Sequence, residues 1–243
     1  MTDELFREDA TLLECQARIV AVDERGIQLD RTVFYPQGGG QAGDRGIFIV
    51  DDGRELVIAD TRKLQASDSS HAGIVHLPAP GQEALLATLA AGVNLTARID
   101  AERRRRHMRF HTTTHLLCAL VPHPVDGCSI TADYARLDFH MNEPLDKQAL
   151  TEGIARLVAE AHPVRHRWIS EDELDANPGL VRSMSVMPPR GLGRVRVLEI
   201  EGVDLQPCGG THVANTAEIG AVIVTKLEKK SAMTRRVILG FAE

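Results

Sequence analysis

Two short stretches of this chain place metal-binding side chains at the same spacing. His111-Thr112-Thr113-Thr114-His115 sets two imidazoles four residues apart. On a helix, positions i and i+4 share a face, so both rings can turn toward one ion. Gln206-Pro207-Cys208-Gly209-Gly210-Thr211-His212 sets a thiol and an imidazole four apart, on a turn whose glycines let both fold toward one point. Together His111, His115, Cys208 and His212 offer three nitrogens and one sulfur, a donor set suited to Zn²⁺. The competing reading makes Cys208 and His212 ordinary core residues. It must then explain two matched pairs in a chain with only four cysteines. Cys15, Cys118 and Cys128 are too scattered for a disulfide framework and read as free thiols or ligands.

Other residues are candidates of a second kind. Arg103, Arg104, Arg105, Arg106 and Arg109 lead directly into His111, either as a solvated helix face or as a clamp for phosphates. Reversing Arg104 and Arg105 to Glu should weaken binding to a phosphate backbone and flatten its salt dependence, and the fold should survive because exposed charge changes cost little. Lys226, Lys229, Lys230, Arg235 and Arg236 form a second basic region, and some residues of each group are expected to contact RNA. The loop Gly38-Gly39-Gly40-Gln41 lacks the GxxxxGK[ST] pattern and is not a P-loop. It is either a tight turn between strands or a place where backbone approaches a ligand. Asp138, in the strand ARLDF, can support a ligand histidine from behind or pair with Arg136. His71, His76, His107, His123, His140, His162 and His166 have no partner at ligand spacing and read as surface or core residues.

With these motifs in view, the chain resembles the editing domain of alanyl-tRNA synthetases and their free-standing relatives, the alanyl-tRNA editing proteins of the AlaX type. Threonyl-tRNA synthetases carry a similar domain with a related pair of motifs. The resemblance runs from about Arg31 to the end and is most specific at HTTTH and QPCGGTHVANTAEIG. The loop FYPQGGGQAGDRG is similar to the N-terminal part of the larger AlaX proteins. Cys128 departs from the pattern, which has Ser there. The resemblance implies hydrolysis, in trans, of the ester joining a wrong amino acid to tRNA(Ala). The expected substrate is Ser-tRNA(Ala), with Gly-tRNA(Ala) as a second candidate, and one zinc per chain is expected. It also implies that Gly39, Gly40 and Gln41 lie by the pocket, and for a substrate ending in phosphates Arg104, Arg105 and Arg109 of the basic run are the expected backbone clamp. Sparing alanine while destroying serine requires rewarding a hydroxyl, because alanine is the smaller side chain. Thr114, beside His115, is the candidate for that reward; its hydroxyl could instead bond back to the carbonyl of Phe110. Thr114 and Asp138 are therefore the expected catalytic-site residues. Two rival functions are a zinc hydrolase of small esters or amides, which needs no basic surface, and a non-catalytic tRNA-binding module.

The elements that must position these residues change character near residue 96. LECQARIVAVDERGIQLD and RGIFIVDDGRELVIADT alternate apolar and polar residues around turns at Asp23–Gly26 and Asp52–Gly53, and read as hairpins. HAGIVHLP and VNLTARID add strands, so 1–95 is expected to be a small β-barrel domain. Residues 96–243 are expected to be an α+β editing domain with an antiparallel sheet. Its helices are Ala101–Leu120, Leu145–Ala161 and SEDELDAN, the last with Ser170 and Glu173 as a capping box. CSITADYARLDFHM, VRHRWI, RVRVLEI, AEIGAVIVTKLEKK and TRRVILGFAE are its strands. The composition agrees: 243 residues, 43% hydrophobic and 26% charged, is ordinary for a globular protein with a sizeable core. A net charge of −6 and 4% aromatics argue against non-specific coating of nucleic acid and against broad base-stacking platforms. The polar, acidic first residues and the lack of a long apolar stretch make a cytoplasmic location the expectation, with no membrane and no obligate protein partner.

Overall fold

The protein is described by a computed structural model covering residues 2–64, 73–184, 187–188, 191 and 193–242. It divides into two compact units, residues 1–38 with 42–105, and residues 39–41 with 106–243. The division falls inside one helix, between Arg105 and Arg106, and assigns the tripeptide Gly39–Gln41 to the second unit.

The first unit holds β1 (Asp3–Glu4), β2 (Glu14–Asp23), β3 (Gly26–Leu29), β4 (Arg31–Thr32), β5 (Gly46–Val50), β6 (Glu55–Lys63), β7 (Ile74–Pro78), the short helix α1 (Glu83–Leu86) and β8 (Asn94–Ile99). Six strands close a barrel in the order β2-β3-β7-β6-β5-β8. Both expected hairpins are present, β2 pairing with β3 across Asp23↔Gly26 and β5 with β6 through Ile49↔Glu55. The period-two pattern sets the interior: Leu95, Ala97 and Ile99 of β8 turn inward with Phe48 and Val50 of β5, while Asn94 and Arg98 face out. Of the expected strand HAGIVHLP, His71 and Ala72 lie outside the described residues. Strand β8 is a stave of this barrel, so the boundary expected at 95/96 falls within it.

The second unit receives most of α2 (Ala101–Leu120). It adds β9 (Val125–Ile130), β10 (Ala135–His140), α3 (Lys147–Ala159), β11 (Val164–Ser170), α4 (Glu171–Ala176), β12 (Arg194–Ile200), β13 (Asp204–Pro207), β14 (Val222–Ser231) and β15 (Thr234–Phe241). Among the described residues it has two antiparallel sheets, β14-β15-β10-β9 and β11-β12-β13. Helix α3 starts at the side-chain cap Asp146, buries Leu150, Ile154 and Leu157, and stops before Ala161, whose φ is 56°. Ser170 caps α4 by accepting from the Glu173 amide. The expected strand AEIGAVIVTKLEKK begins only at Val222, because Thr216–Ile219 forms a 3₁₀ turn ended by Gly220. The overall class is therefore α+β with antiparallel sheets and a barrel, as the sequence implies.

Helix α2 is unusual. Its sequence is polar, yet from His107 to Cys118 every residue except Arg109 is buried. A buried helix is normally apolar all round. Here the polar side chains must find internal partners, and those partners define the site.

Candidate metal centre

The ligand atoms of His111, His115, Cys208 and His212 lie within 4.8 Å of one another, so the two motifs meet at one point that could hold a metal ion. The ring centroids of His111 and His212 are 4.2 Å apart, and those of His115 and His212 5.1 Å. Cys208 Sγ lies 3.5 Å from His111 Nε2 and 3.2 Å from His212 Nε2.

Each imidazole is committed through its other nitrogen. His111 Nδ1 donates to Gln41 Oε1 at 2.8 Å, His115 Nδ1 donates to Asp204 Oδ2 at 2.8 Å, and His212 Nδ1 is hydrogen-bonded to Thr112 Oγ1 at 3.2 Å. These bonds turn Nε2 of all three rings toward the shared point, where a bound metal ion would take the place of any proton they carry. The supporting groups are themselves held. Gln41 donates through Nε2 to Thr211 Oγ1 at 2.9 Å and accepts from the Thr211 amide at 3.2 Å. Asp204 accepts from Gln206 Nε2 at 2.8 Å, and its side chain is fully buried. Arg196 donates to the carbonyls of Cys208 and Gly210, fastening the CGGTH turn. A Cβ at Gly210 would run into the His111 ring, so only glycine fits between the turn and α2.

The electrostatics suit a cation. Burial works to raise the Cys208 thiol, but the charges of His111 and His212 and hydrogen bonds from His111 and His115 hold it well below its usual range. Burial works to lower His115, but hydrogen bonds and charge from Asp204 and Cys208 prevail and lift it to about 10. His212 is driven well down by burial and by the charge of His111. A thiolate and a buried carboxylate thus surround three imidazoles. Cys118 and Cys128 behave differently, burial pushing both thiols up to about 12.

The remaining candidates divide. Gln41 reaches the cluster directly. Gly40, at φ 87°, passes so close to Cys128 that a Cβ would lie 2.8 Å from its Sγ, and its carbonyl accepts from the Ile130 amide. Gly39, at φ 59°, precedes it in the same turn. Thr114 is 4% exposed and donates to the His111 carbonyl at 2.7 Å, one residue along from the expected Phe110. Asp138 is not brought to the histidines. Its carboxylate is engaged by Arg136 at 2.7 Å and by Arg236 at 2.6 and 2.7 Å, and the support expected of it is supplied to His115 by Asp204.

The arginine run divides too. Arg104 is 1% exposed, paired with Asp44, and donates to the carbonyls of Ala10 and Val33. It is a structural residue of the first unit, and the expectation that its reversal is harmless is overturned, because a buried charge cannot simply change sign. Arg105 is exposed. In the second unit, Arg106 and Arg109 stack on Phe241 at 4.5 and 4.1 Å from its centroid. Arg109 also donates to the Ile219 carbonyl at 2.6 Å. Of the other histidines, His76 and His107 are buried, and His71 lies outside the described residues.

Fold and site together define an α+β protein with a buried cluster of three histidines and one cysteine that could bind a metal. Residues 195–238 match the family described as the threonyl and alanyl tRNA synthetase second additional domain, and residues 8–103 match class II (A) tRNA synthetases. The chain is 34% identical to the alanyl-tRNA editing protein AlaX-M of Methanosarcina acetivorans and 35% identical to that of Methanosarcina barkeri. Both alignments cover 98% of this chain and 98% of the relative. It is 33% identical to the alanine–tRNA ligase of Pyrococcus furiosus, over 100% of this chain and 26% of the ligase. The chain belongs to the AlaX-M family of alanyl-tRNA editing proteins. No helix among the described residues is long and apolar enough to cross a membrane.

Proposed function

We propose that the protein is a cytoplasmic hydrolase that removes the wrong amino acid from tRNA(Ala) in trans, with Ser-tRNA(Ala) as its main substrate and Gly-tRNA(Ala) as the second candidate. One observation carries the reading. A chain similar end to end to named alanyl-tRNA editing proteins holds a buried donor set in which every imidazole is oriented by a second hydrogen bond. His111, His115, Cys208 and His212 would hold one zinc ion, which fits the thiolate and imidazole donors. When bound, zinc supplies Lewis acidity to a water or to a polar group of the substrate.

The chain's own groups supply position and selectivity. Gly39 and Gly40 let the loop turn tightly against Cys128, and Gln41 keeps His111 in one orientation. The Thr114 hydroxyl donates its proton to the His111 carbonyl, so it meets a substrate hydroxyl as an acceptor. Serine satisfies that acceptor and alanine does not, and such an unpaired buried group can separate the two substrates by roughly 10⁴-fold. Exposed Arg105 and half-buried Arg109 are suited to phosphates of the RNA. In this reading the second unit, residues 39–41 with 106–243, is the editing domain and the barrel is its companion.

The test compares hydrolysis of Ser-tRNA(Ala), Ala-tRNA(Ala) and a small serine ester. Rapid loss of the first alone supports editing. Equal action on the small ester favours a general esterase, and binding of the tRNA without hydrolysis favours a binding module. In the same assay Thr114→Val should erode the serine-over-alanine ratio while one zinc per chain is retained. An unaltered ratio removes Thr114 from recognition.

A further inference from the structure

The chain carries a net charge of −6, but the hairpin from Lys226 to Arg236 holds five cationic side chains against the single carboxylate of Glu228. Beside it, in the second unit, lies a cavity of about 360 Å³ lined by Asn142, Leu227, Glu228, Lys229, Arg235 and Arg236, among others. The cations around it are not equivalent. Arg236 is bound to Asp138 through two nitrogens, and Lys226 pairs with Glu228 at 2.7 Å. Arg235 is held by the carbonyls of Ser231, Ala232, Thr234 and Asn142. These partners fix the guanidinium without a carboxylate in direct contact, and Glu143 is the acidic group that feels its charge. Among the described residues no carboxylate forms an ion pair with Arg235, Lys229 or Lys230. Lys229 and Lys230 are exposed.

Arg235 and Lys229, neither held in an ion pair, therefore stand at a concave site that Pro144, Leu145 and Leu227 also line, with exposed Lys230 next along the strand. Phosphates fit the cations, and a ribose or base edge fits the apolar lining. We infer that this hairpin pocket docks the phosphodiester backbone of an RNA, an inference that rests on the tRNA-editing reading and adds a surface to it. The preset geometry of Arg235 favours phosphate over a loosely held carboxylate, because a fixed planar fork loses little entropy on pairing.

The experiment measures binding of labelled, uncharged tRNA(Ala) across a salt series, with full-length protein and the exposed double variant Lys229→Glu, Lys230→Glu. The variant should bind at least tenfold more weakly, and the slope of log Kd against log salt should fall by about 1.5, as loss of two phosphate contacts requires. Zinc content and Tm should match wild type, and in deacylation the loss should fall on KM more than on kcat. A second variant, Arg235→Gln, should weaken binding in the same direction. Unchanged affinity and slope in the variants, while the wild-type protein deacylates Ser-tRNA(Ala), overturns the docking site and leaves the editing reading standing. A wild-type protein that neither binds nor deacylates the tRNA overturns both. Equal loss of binding to tRNA and to polyglutamate also overturns the assignment, since the surface would then be a general polyanion site.

Discussion

At the residue scale, the groups behind the ligands decide as much as the ligands. Asp204 gives His115 a carboxylate acceptor at 2.8 Å, with both side chains buried. Such a partner fixes the ring and raises its basicity toward a metal. In Asp204→Asn the amide oxygen can still accept from Nδ1, so the ring stays in place while the charge is lost. Zinc affinity should fall about 10- to 100-fold, read by competition with a chromogenic chelator. Wild-type affinity in this variant would show that the carboxylate acts only as a spacer. The two ligand pairs were legible in the sequence because i, i+4 spacing is local. Their supporters were not: Gln41 lies 70 residues from His111, and Asp204 lies 89 from His115. Asp138 looked equally suited by type, but its strand pairs with β15, which sets it opposite Arg236. The one local hint of Asp204 was a carboxylate four residues before Cys208, too weak a signal on its own.

At the element scale, α2 and the barrel show how position overrides composition. Adjacent arginines Arg104 and Arg105 read alike in sequence, but the helical turn sends one inward and one out. Arg104→Ala leaves Asp44 buried without its partner and should cost about 3–5 kcal/mol. Arg105→Ala should stay within about 0.5 kcal/mol. Urea unfolding of the two variants measures the contrast, and similar midpoints would refute it. The barrel strands were legible because alternation and hairpin turns are local signals, whereas ring closure depends on β2 meeting β8, far apart in the chain.

The barrel also encloses a neutral histidine. His76 donates from Nδ1 to the Ile27 carbonyl at 3.0 Å and accepts from Thr32 Oγ1 at 2.9 Å, with Phe34 and Phe48 against its ring. Burial pulls it down from 6.5 to about 4. Between these values the unfolded chain binds a proton that the folded chain does not, so stability rises with pH in that window. The contribution is fully present above about pH 6.5 and is lost as pH falls toward 4, amounting to about 3 kcal/mol. His76→Gln should flatten the pH dependence of the unfolding free energy from pH 6.5 to 4, whatever its effect at neutral pH. A variant with the wild-type slope would place the acid sensitivity elsewhere.

At the scale of the whole molecule, the metal cluster and the barrel are separate sources of order. The barrel has its own closed hydrogen-bond ladder and its own core of Ile19, Phe34, Phe48, Leu56 and Leu95. The second unit instead gathers Gln41, the middle of α2 and residues 204–212 onto one point, where Cys208 and the three histidines carry like and unlike charges at close range. A dication that binds only the folded arrangement stabilises it by mass action, about 4 kcal/mol when free metal is 1,000 times Kd. Removing the metal withdraws that term and leaves a thiolate, a carboxylate and crowded imidazoles facing each other. Chelation should therefore raise amide hydrogen exchange in residues 111–118 and 204–213, which lean on the cluster. The strands β2, β5 and β8 should keep their protection, because neither their ladder nor their core includes a ligand. Mass-spectrometric exchange on the intact chain, with and without chelator, reads both regions in one experiment. Equal loss of protection in both would mean that the metal stabilises the chain as one cooperative unit. No change in either would mean that the four side chains stay ordered without an ion, and the cluster would then have to be explained by its internal hydrogen bonds alone.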